Sequence, residues 1–305
     1  VASSKTATAS PNETATVSRR TGLLTPAPSP ALVLGAIASV QFGSAIATTL
    51  FHRIGPGGAV WLRLLFGTVI LIPLWRPRLA GRTRRELVLP FLFGLVLAGM
   101  NCSFYSAIHR IPLGVAVTIE FVGPLCVALA GSRRPLDLVW VALAIAGILA
   151  LTQGGVHHLN GVGVALALLA GSLWACYILL NARVGRSFEG GLGLTLAMCV
   201  ASVVMIPIGI TQGGSHLLEP HVLLLGAAVG LLSSAIPYSF ENEALRRIDP
   251  AVFGVLMSIE PAMAALAGFL VLGQGLGARA VVGIGLVVAA SVGAARGSRE
   301  PPVAI

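Results

Sequence analysis

The chain has 305 residues, of which 56% are hydrophobic and only 10% charged. That is too little charge to cover a soluble surface of this size, so a water-soluble globular fold is excluded. The net charge of +9 invites a nucleic-acid reading, but the arginines fall in short loops between apolar runs and form no stripe, so nucleic acid is excluded as a partner.

Residues 1–30 are rich in Ser, Thr, Ala and Pro, and close on Pro26, Pro28 and Pro30. They read as a disordered cytoplasmic tail. A signal peptide is the competing reading, since Arg19-Arg20 precede an apolar run containing Ala45-Ile46-Ala47. From there the chain alternates apolar runs with Gly, Pro and Arg punctuation. The spacing predicts ten spans at 31–51, 58–75, 87–108, 112–131, 136–152, 161–181, 190–211, 221–245, 250–272 and 278–295. The runs are continuous, which argues for helices of membrane-crossing length and against a β-barrel. The expected class is an all-α polytopic membrane protein with a multi-pass location in the bacterial inner membrane. A short tail, 296–305, follows the last span. Cys102, Cys126, Cys176 and Cys199 lie in apolar segments without metal-ligand or disulfide spacing, and read as small helix residues.

Lysine and arginine placement sets the orientation. With the N-terminus inside, one face carries Lys5, Arg19, Arg20, the cluster from Arg76 to Arg85, Arg133, Arg134, Arg183, Arg186, Arg246, Arg247, Arg296 and Arg299. The outer loops keep Arg53, Arg110 and Arg279, a bias of roughly five to one. Both termini are then cytoplasmic, which requires an even number of spans.

Residues 95–131 align without gaps on 232–268 at a constant offset of 137. Arg110-Ile111 matches Arg247-Ile248, Pro124 matches Pro261, and Leu129-Ala130-Gly131 matches Leu266-Ala267-Gly268. Helices 3 and 4 are thus equivalent to helices 8 and 9, and an odd displacement of five inverts the copy. Two inverted five-helix repeats, 31–152 and 161–295, are expected, the arrangement of secondary transporters with a midplane site at the repeat interface. A channel or a scaffold also uses duplication.

Polar groups inside the spans need a reason. Glu120 lies about 12 Å into helix 4, and Glu260 lies similarly deep in helix 9 from the other side. An intramembrane carboxylate is costly and faces a polar cavity or a partner. Low dielectric favours the protonated form of a carboxyl in general, which suits proton coupling. The alternative is a neutral Glu bonded to a neighbouring helix. Pro124 and Pro261 stand beside them and are expected to kink their helices and free a carbonyl. Small residues surround both sites: Gly114, Thr118 and Gly123, then Gly254, Ser258, Ala262 and Gly268. Arg63 lies within helix 2, either to bind a substrate carboxylate or to snorkel to the outer headgroups. An Arg and a Glu in one cavity would complement an amino-acid zwitterion. Further candidates are Gln41, Asn101, Tyr105, Trp174, Asn181, Tyr238, Glu241 and Asn242. For Glu241 the competing reading is a salt bridge to Arg246 or Arg247. Trp61 and Trp75 read as interface anchors.

All six histidines map to the outer side, where external pH sensing competes with simple loop polarity. His157-His158 has no carboxylate or cysteine near it in sequence, so no metal site is expected. An intramembrane enzyme would need a nucleophile or metal constellation. The chain has no HExxH helix, no paired intramembrane aspartates and no intramembrane histidine base, so catalysis and a cofactor are not expected.

Gly99-Met100-Asn101 with Phe104-Tyr105, the run Ile111 to Val117, Glu120-Phe121, Gly123-Pro124 and Ser132 to Pro135 together resemble the threonine and homoserine exporter branch of the EamA-type family. That family belongs to the drug/metabolite transporter superfamily. Pro237-Tyr238-Ser239, Glu241, Phe253-Gly254, Met257-Ser258 and Glu260-Pro261-Ala262 repeat the resemblance in the second half. The resemblance spans about residues 31 to 295 and preserves spacing. It implies ten helices in two EamA-type repeats and proton-driven export of small metabolites, for this branch threonine, homoserine or related amino acids. An exporter of another small metabolite or a toxic compound is the alternative. The partners implied are an amino-acid substrate, protons and the lipid bilayer, with a homodimer allowed for.

Overall fold

The computed structural model describes residues 28–76, 83–130, 136–153, 159–188, 191–245, 247, 253 and 256–297. Most of both expected tails, His157, His158, Arg246 and Gly254 lie outside the described residues. The described residues are helical and contain no strand.

Helix α1 (Ser29–Thr48) carries Pro30 in its first turn, where a missing N–H costs nothing. Helix α2 (Phe51–Trp75) is interrupted at Gly55, whose φ of 66° a side chain would resist, and resumes at Pro56. That interruption is why the sequence alone places the span from residue 58. Helix α3 (Arg84–Ile108) starts on a reciprocal cap. Thr83 accepts from the Glu86 amide, and the Glu86 carboxylate accepts from the Thr83 amide at 3.0 Å.

Interruptions continue in the following segments. Helices α4 (Leu113–Glu120) and α5 (Val122–Ala130) part at Phe121, one residue after Glu120. Helix α6 (Leu136–Gln153) follows, then α7 (Gly161–Ser187), capped by Asn160, which accepts from the Gly163 amide at 3.0 Å. Helices α8 (Leu192–Val204) and α9 (Ile206–Gly213) meet at Met205, and α9 runs on into a short 3-10 turn, Gly214–Leu218, with a bend of 46° between the two segments. Helix α10 (Pro220–Gly230) runs through a π turn (Leu231–Ala235) into α11 (Ile236–Leu245). Helix α12 (Glu260–Leu272) begins after a turn at Ser258-Ile259 and ends on left-handed Gly273, where the Gln274 amide reaches the Gly268 carbonyl. Helix α13 (Ala278–Gly297) is the last.

Both prolines expected to kink a continuous helix instead sit in the first turn of a new one, α5 for Pro124 and α12 for Pro261. The physical reason is economy of hydrogen bonds. A proline inside a helix breaks a bond and clashes with the preceding turn, whereas at a helix start it needs no N–H.

Five helices are each long and apolar enough to cross a membrane: α1, α2, α3, α7 and the continuous Pro220–Glu241. The bent α8–α9 pair makes a sixth if taken as one span. The apolar stretches Leu113–Val127, Val139–Ala150, Glu260–Leu272 and Ala278–Gly293 are shorter. Large apolar side chains such as Leu224, Val203, Phe269 and Val281 are exposed, as lipid-facing residues are.

Helix α3 lies along α7 and α8, α1 along α11 and α12, and α2 along α9 and α10, so the two halves of the chain interdigitate. Glycines set the closest crossings. A Cβ on Gly123 would stand 1.9 Å from the Gly171 carbonyl oxygen, and one on Gly114 would stand 2.7 Å from the Ala265 backbone. Trp61 is not an interface anchor. It packs against Gly209 on α9 and its Nε1 is buried, because the absence of a side chain at Gly209 opens a slot for the indole.

Candidate functional site

A cavity of about 580 Å³ lies between the two halves of the chain. Helix α1 gives it Gln41, α2 Arg63, α4 Glu120, the π turn Ser233, α11 Tyr238 and Glu241, and α12 Glu260. Gln41 is 3% exposed, Arg63 6%, and Glu120 and Glu260 7% each, so a guanidinium and two carboxyl groups of the lining are withdrawn from water. Their nearness follows from the interruptions. Glu120 ends α4 and Glu260 opens α12, so both carboxyls stand at helix breaks and not on continuous cylinders.

Arg63 does not snorkel to the headgroups. Its Nη2 donates to the Ser233 carbonyl at 2.9 Å, its Nη1 faces the Tyr105 hydroxyl at 3.4 Å, and its guanidinium lies 5.5 Å from the Tyr105 ring centroid. The π turn has a wider winding that releases carbonyls from the helical ladder. Two of them are taken by the other half of the chain: Ser233 by Arg63, and Leu232 by the Ser39 hydroxyl at 2.6 Å.

Glu260 accepts from the Gln41 amide at 2.9 Å. Glu120 is within electrostatic reach of Glu260 and of Arg63. Among the described residues, no ion pair joins Arg63 to a carboxylate. Most of the remaining wall is apolar or aromatic. Trp174 meets Phe121 edge-on at 5.5 Å, and Tyr177 packs on Phe93 at 5.0 Å. The cavity extends to the C-terminal ends of α7 and α11, where Asn181 and Ala182 are exposed and Glu241 is half-buried.

The other end of the molecule is cross-tied. The Gly57 amide donates to Gln212 Oε1 at 2.7 Å, the Leu113 amide to Gln274 Oε1 at 3.0 Å, and Arg53 to Glu219 at 2.9 Å. Each tie joins a residue of the first half to one of the second. His216 and His221 also flank Glu219. The hydrogen bond from His216, with Arg53 adding to it, holds the Glu219 carboxyl below its ordinary range.

Of the residues nominated from the sequence, Gln41, Arg63, Asn101, Glu120, Pro124, Trp174, Asn181, Tyr238, Glu241 and Glu260 line the cavity. Asn101 spends its amide on the Leu97 carbonyl of its own helix, at 2.8 Å. Tyr105 is fully buried behind Arg63 and does not line the wall. Pro261 is buried beside Glu260 and also stands off the wall. The side chain of Asn242 is outside the described residues. Of the two arginines weighed as salt-bridge partners of Glu241, Arg247 pairs with Glu243 one helical turn before it, and Arg246 lies outside the described residues. Sequence reasoning missed Ser44, Tyr177, Ser233 and Ser291. A serine in an apolar helix bonds its own backbone so readily that composition gives it no signal. Among the described residues, no group of His, Cys, Asp or Glu could hold a metal ion.

The model of the EamA-like transporter family matches residues 161–296. The chain is 45% identical over 266 residues to the threonine/homoserine exporter RhtA of Escherichia coli (strain K12), covering 86% of this chain and 89% of that one. It is 44% identical over 275 residues to the threonine/homoserine exporter RhtA of Salmonella typhimurium (strain SL1344), covering 89% and 92%. A more distant relative is the uncharacterized inner membrane transporter YedA of Escherichia coli (strain K12), 26% identical over 218 residues, 68% of this chain and 71% of that one. A solved protein crystal structure overlays with a TM-score of 0.61 at 18% identity, covering 87% of this chain and 96% of that chain, which is a likeness of fold alone. With its apolar helices and these relatives, the chain belongs to the EamA-like transporter family, in the branch that the two RhtA exporters represent.

Proposed function

We propose that this protein is a secondary transporter of the bacterial inner membrane that exports small amino acids of the threonine and homoserine kind by proton antiport. The observation that carries the reading is one cavity, walled by both halves of the chain, with Arg63, Glu120 and Glu260 withdrawn from water on its surface. Ionisable groups withdrawn from water without an ion pair are expensive, and a ligand that pairs with them offsets that cost. The names of the relatives at 44% and 45% identity support the choice of amino acids.

In this reading the chain has ten spans, N-in and C-in, as two inverted repeats at 31–152 and 161–295. The 137-residue offset supports it: it carries Arg84–Ile108 onto 221–245, the extent of α10 through α11, and carries the break at Phe121 onto Ser258. The shorter apolar helices then cross the bilayer as broken spans, whose polar ends face the cavity and not lipid. Substrate enters from the cytoplasm at the open end near Asn181. The ties at Arg53, Gly57 and Leu113 hold the outer end closed, and exchange of those states gives alternating access. A midplane carboxyl takes the returning proton as the amino acid leaves.

Inverted vesicles containing the protein should take up labelled threonine when a proton gradient is imposed and lose that uptake when the gradient is collapsed. A Glu260→Gln protein that retained full proton-coupled flux would remove Glu260 from the mechanism. The cavity volume lies in the range of pockets for drug-sized ligands. This favours, as the second reading, export of a bulkier metabolite or toxic compound, which a substrate panel in the same vesicles separates.

A further inference from the structure

Gln41 and Glu260 form a bracket with a particular pattern of used and unused atoms. Gln41 Nε2 donates to Glu260 Oε1 at 2.9 Å, and this bond holds the two head groups side by side. The other oxygens, Gln41 Oε1 and Glu260 Oε2, are buried and have no hydrogen-bond partner. Two adjacent acceptors backed by a carboxylate are the complement of a primary ammonium, a compact cation with three donors. Arg63 presents the opposite pattern. Its partners are two neutral oxygens, and its Nε is buried without a partner. A planar guanidinium with unused donors is the complement of a carboxylate.

Ser233 touches the helices that carry both patterns. Ser233 gives its carbonyl to Arg63 on one side. On the other side it packs against Gly43, where an added Cβ would stand 2.3 Å from Ser233 Oγ, two residues along α1 from Gln41. Glu120 lies within electrostatic reach of both ends, but among the described residues no side chain brackets it as Gln41 brackets Glu260.

We propose that Gln41 and Glu260 together cradle the α-ammonium group of the substrate while Arg63 takes its carboxylate, so that the cavity selects free zwitterionic α-amino acids over matched acids or amines. This rests on the amino-acid reading above and adds an orientation to it. Gln41 becomes the specificity-determining residue for the amine. Neutral, and among the described residues the hydrogen-bond partner of Glu260, it sets where the second acceptor stands.

The test uses the full-length protein in detergent, labelled L-threonine as probe, and two size-matched competitors. One is 2,3-dihydroxybutanoate, in which a hydroxyl replaces the ammonium; the other is threoninol, in which an alcohol replaces the carboxylate. Each competitor should bind at least about tenfold more weakly than threonine, the cost of losing a hydrogen bond to a charged group. Gln41→Met should weaken threonine about tenfold and leave 2,3-dihydroxybutanoate unchanged, erasing discrimination at the amine alone. Arg63→Gln should erase discrimination against threoninol alone. A merely structural role for Gln41 would weaken all three ligands together, and that result overturns the proposal, as does an unaltered ratio. Glu260→Gln must repeat the Gln41→Met pattern, which guards against misfolding of either variant; a monodisperse size-exclusion peak qualifies each. If the wild-type protein neither binds nor transports threonine, the export reading fails and takes the cradle with it. If it transports threonine but the ratios do not move, the cradle alone fails.

Discussion

A methyl group added at Gly123 would stand 1.9 Å from the Gly171 carbonyl oxygen, so α5 and α7 touch there through backbone. One added at Gly171 would stand 2.5 Å from the Glu120 carbonyl oxygen, so the same crossing seats Glu120 against the cavity. Backbone cannot yield as a flexible side chain can. Gly123→Ala is therefore expected to cost about 1–3 kcal/mol by overpacking, read as a lower unfolding temperature in detergent. Gly285 on α13 is exposed and has nothing within 4 Å of an added Cβ. Gly285→Ala should leave stability unchanged or raise it by up to about 1 kcal/mol through helix propensity. Equal effects at both positions would remove the backbone contact as the cause. The sequence flags Gly123 as a small residue beside Glu120, but not its partner, because Gly171 is distant along the chain and nothing local encodes the crossing.

Among the elements, the breaks matter more than the lengths. Proline-containing helices read from sequence as bent cylinders are here pairs of segments, and the carboxyl-bearing residue stands at the junction each time. The π turn is invisible to hydropathy, since a wider winding needs no particular composition, yet it supplies the carbonyl that holds Arg63. The 3-10 turn Gly214–Leu218 similarly places Glu219 against Arg53 in the first turn of α2. Because the Glu219 carboxyl is held below its ordinary range in the folded protein, its contribution to stability is present above that range. It is lost as pH falls through the lowered value, where the folded carboxyl also takes a proton. The difference in unfolding temperature between wild type and Glu219→Gln should therefore shrink as pH falls from 7 toward about 3. A difference that stays constant or grows on acidification would show that Glu219 does not tie α2 to α10 by charge.

For the whole molecule, the central issue is which way each half points. The arginine census and the 137-residue offset both come from sequence and agree on N-in, C-in inverted repeats. In a cysteine-free background, cysteines at Arg110 and Arg279 should react with a membrane-impermeant thiol reagent added outside intact cells. Cysteines at Arg76 and Arg247 should react only after the inner face is opened. External labelling of Arg247 would overturn the inverted arrangement. The same census predicts that the open end of the cavity, near Asn181 and Glu241, faces the cytoplasm, which suits an exporter at rest awaiting its load.

The sequence by itself determined that this chain lives in a membrane, is helical and is an EamA-like transporter, because hydropathy, loop charge and motif spacing are properties of the chain read in order. It also nominated Gln41, Arg63, Glu120, Tyr238, Glu241 and Glu260, because a polar group in an apolar span stands out wherever it lies. Only the tertiary structure decided that these residues meet in one cavity and that Tyr105 stands behind Arg63. It alone decided that Gln41 hydrogen-bonds Glu260 and that Ser233 meets both Arg63 on α2 and Gly43 on α1. Those relations depend on close backbone crossings and helix breaks between segments far apart in the chain, and no local pattern of residues carries them.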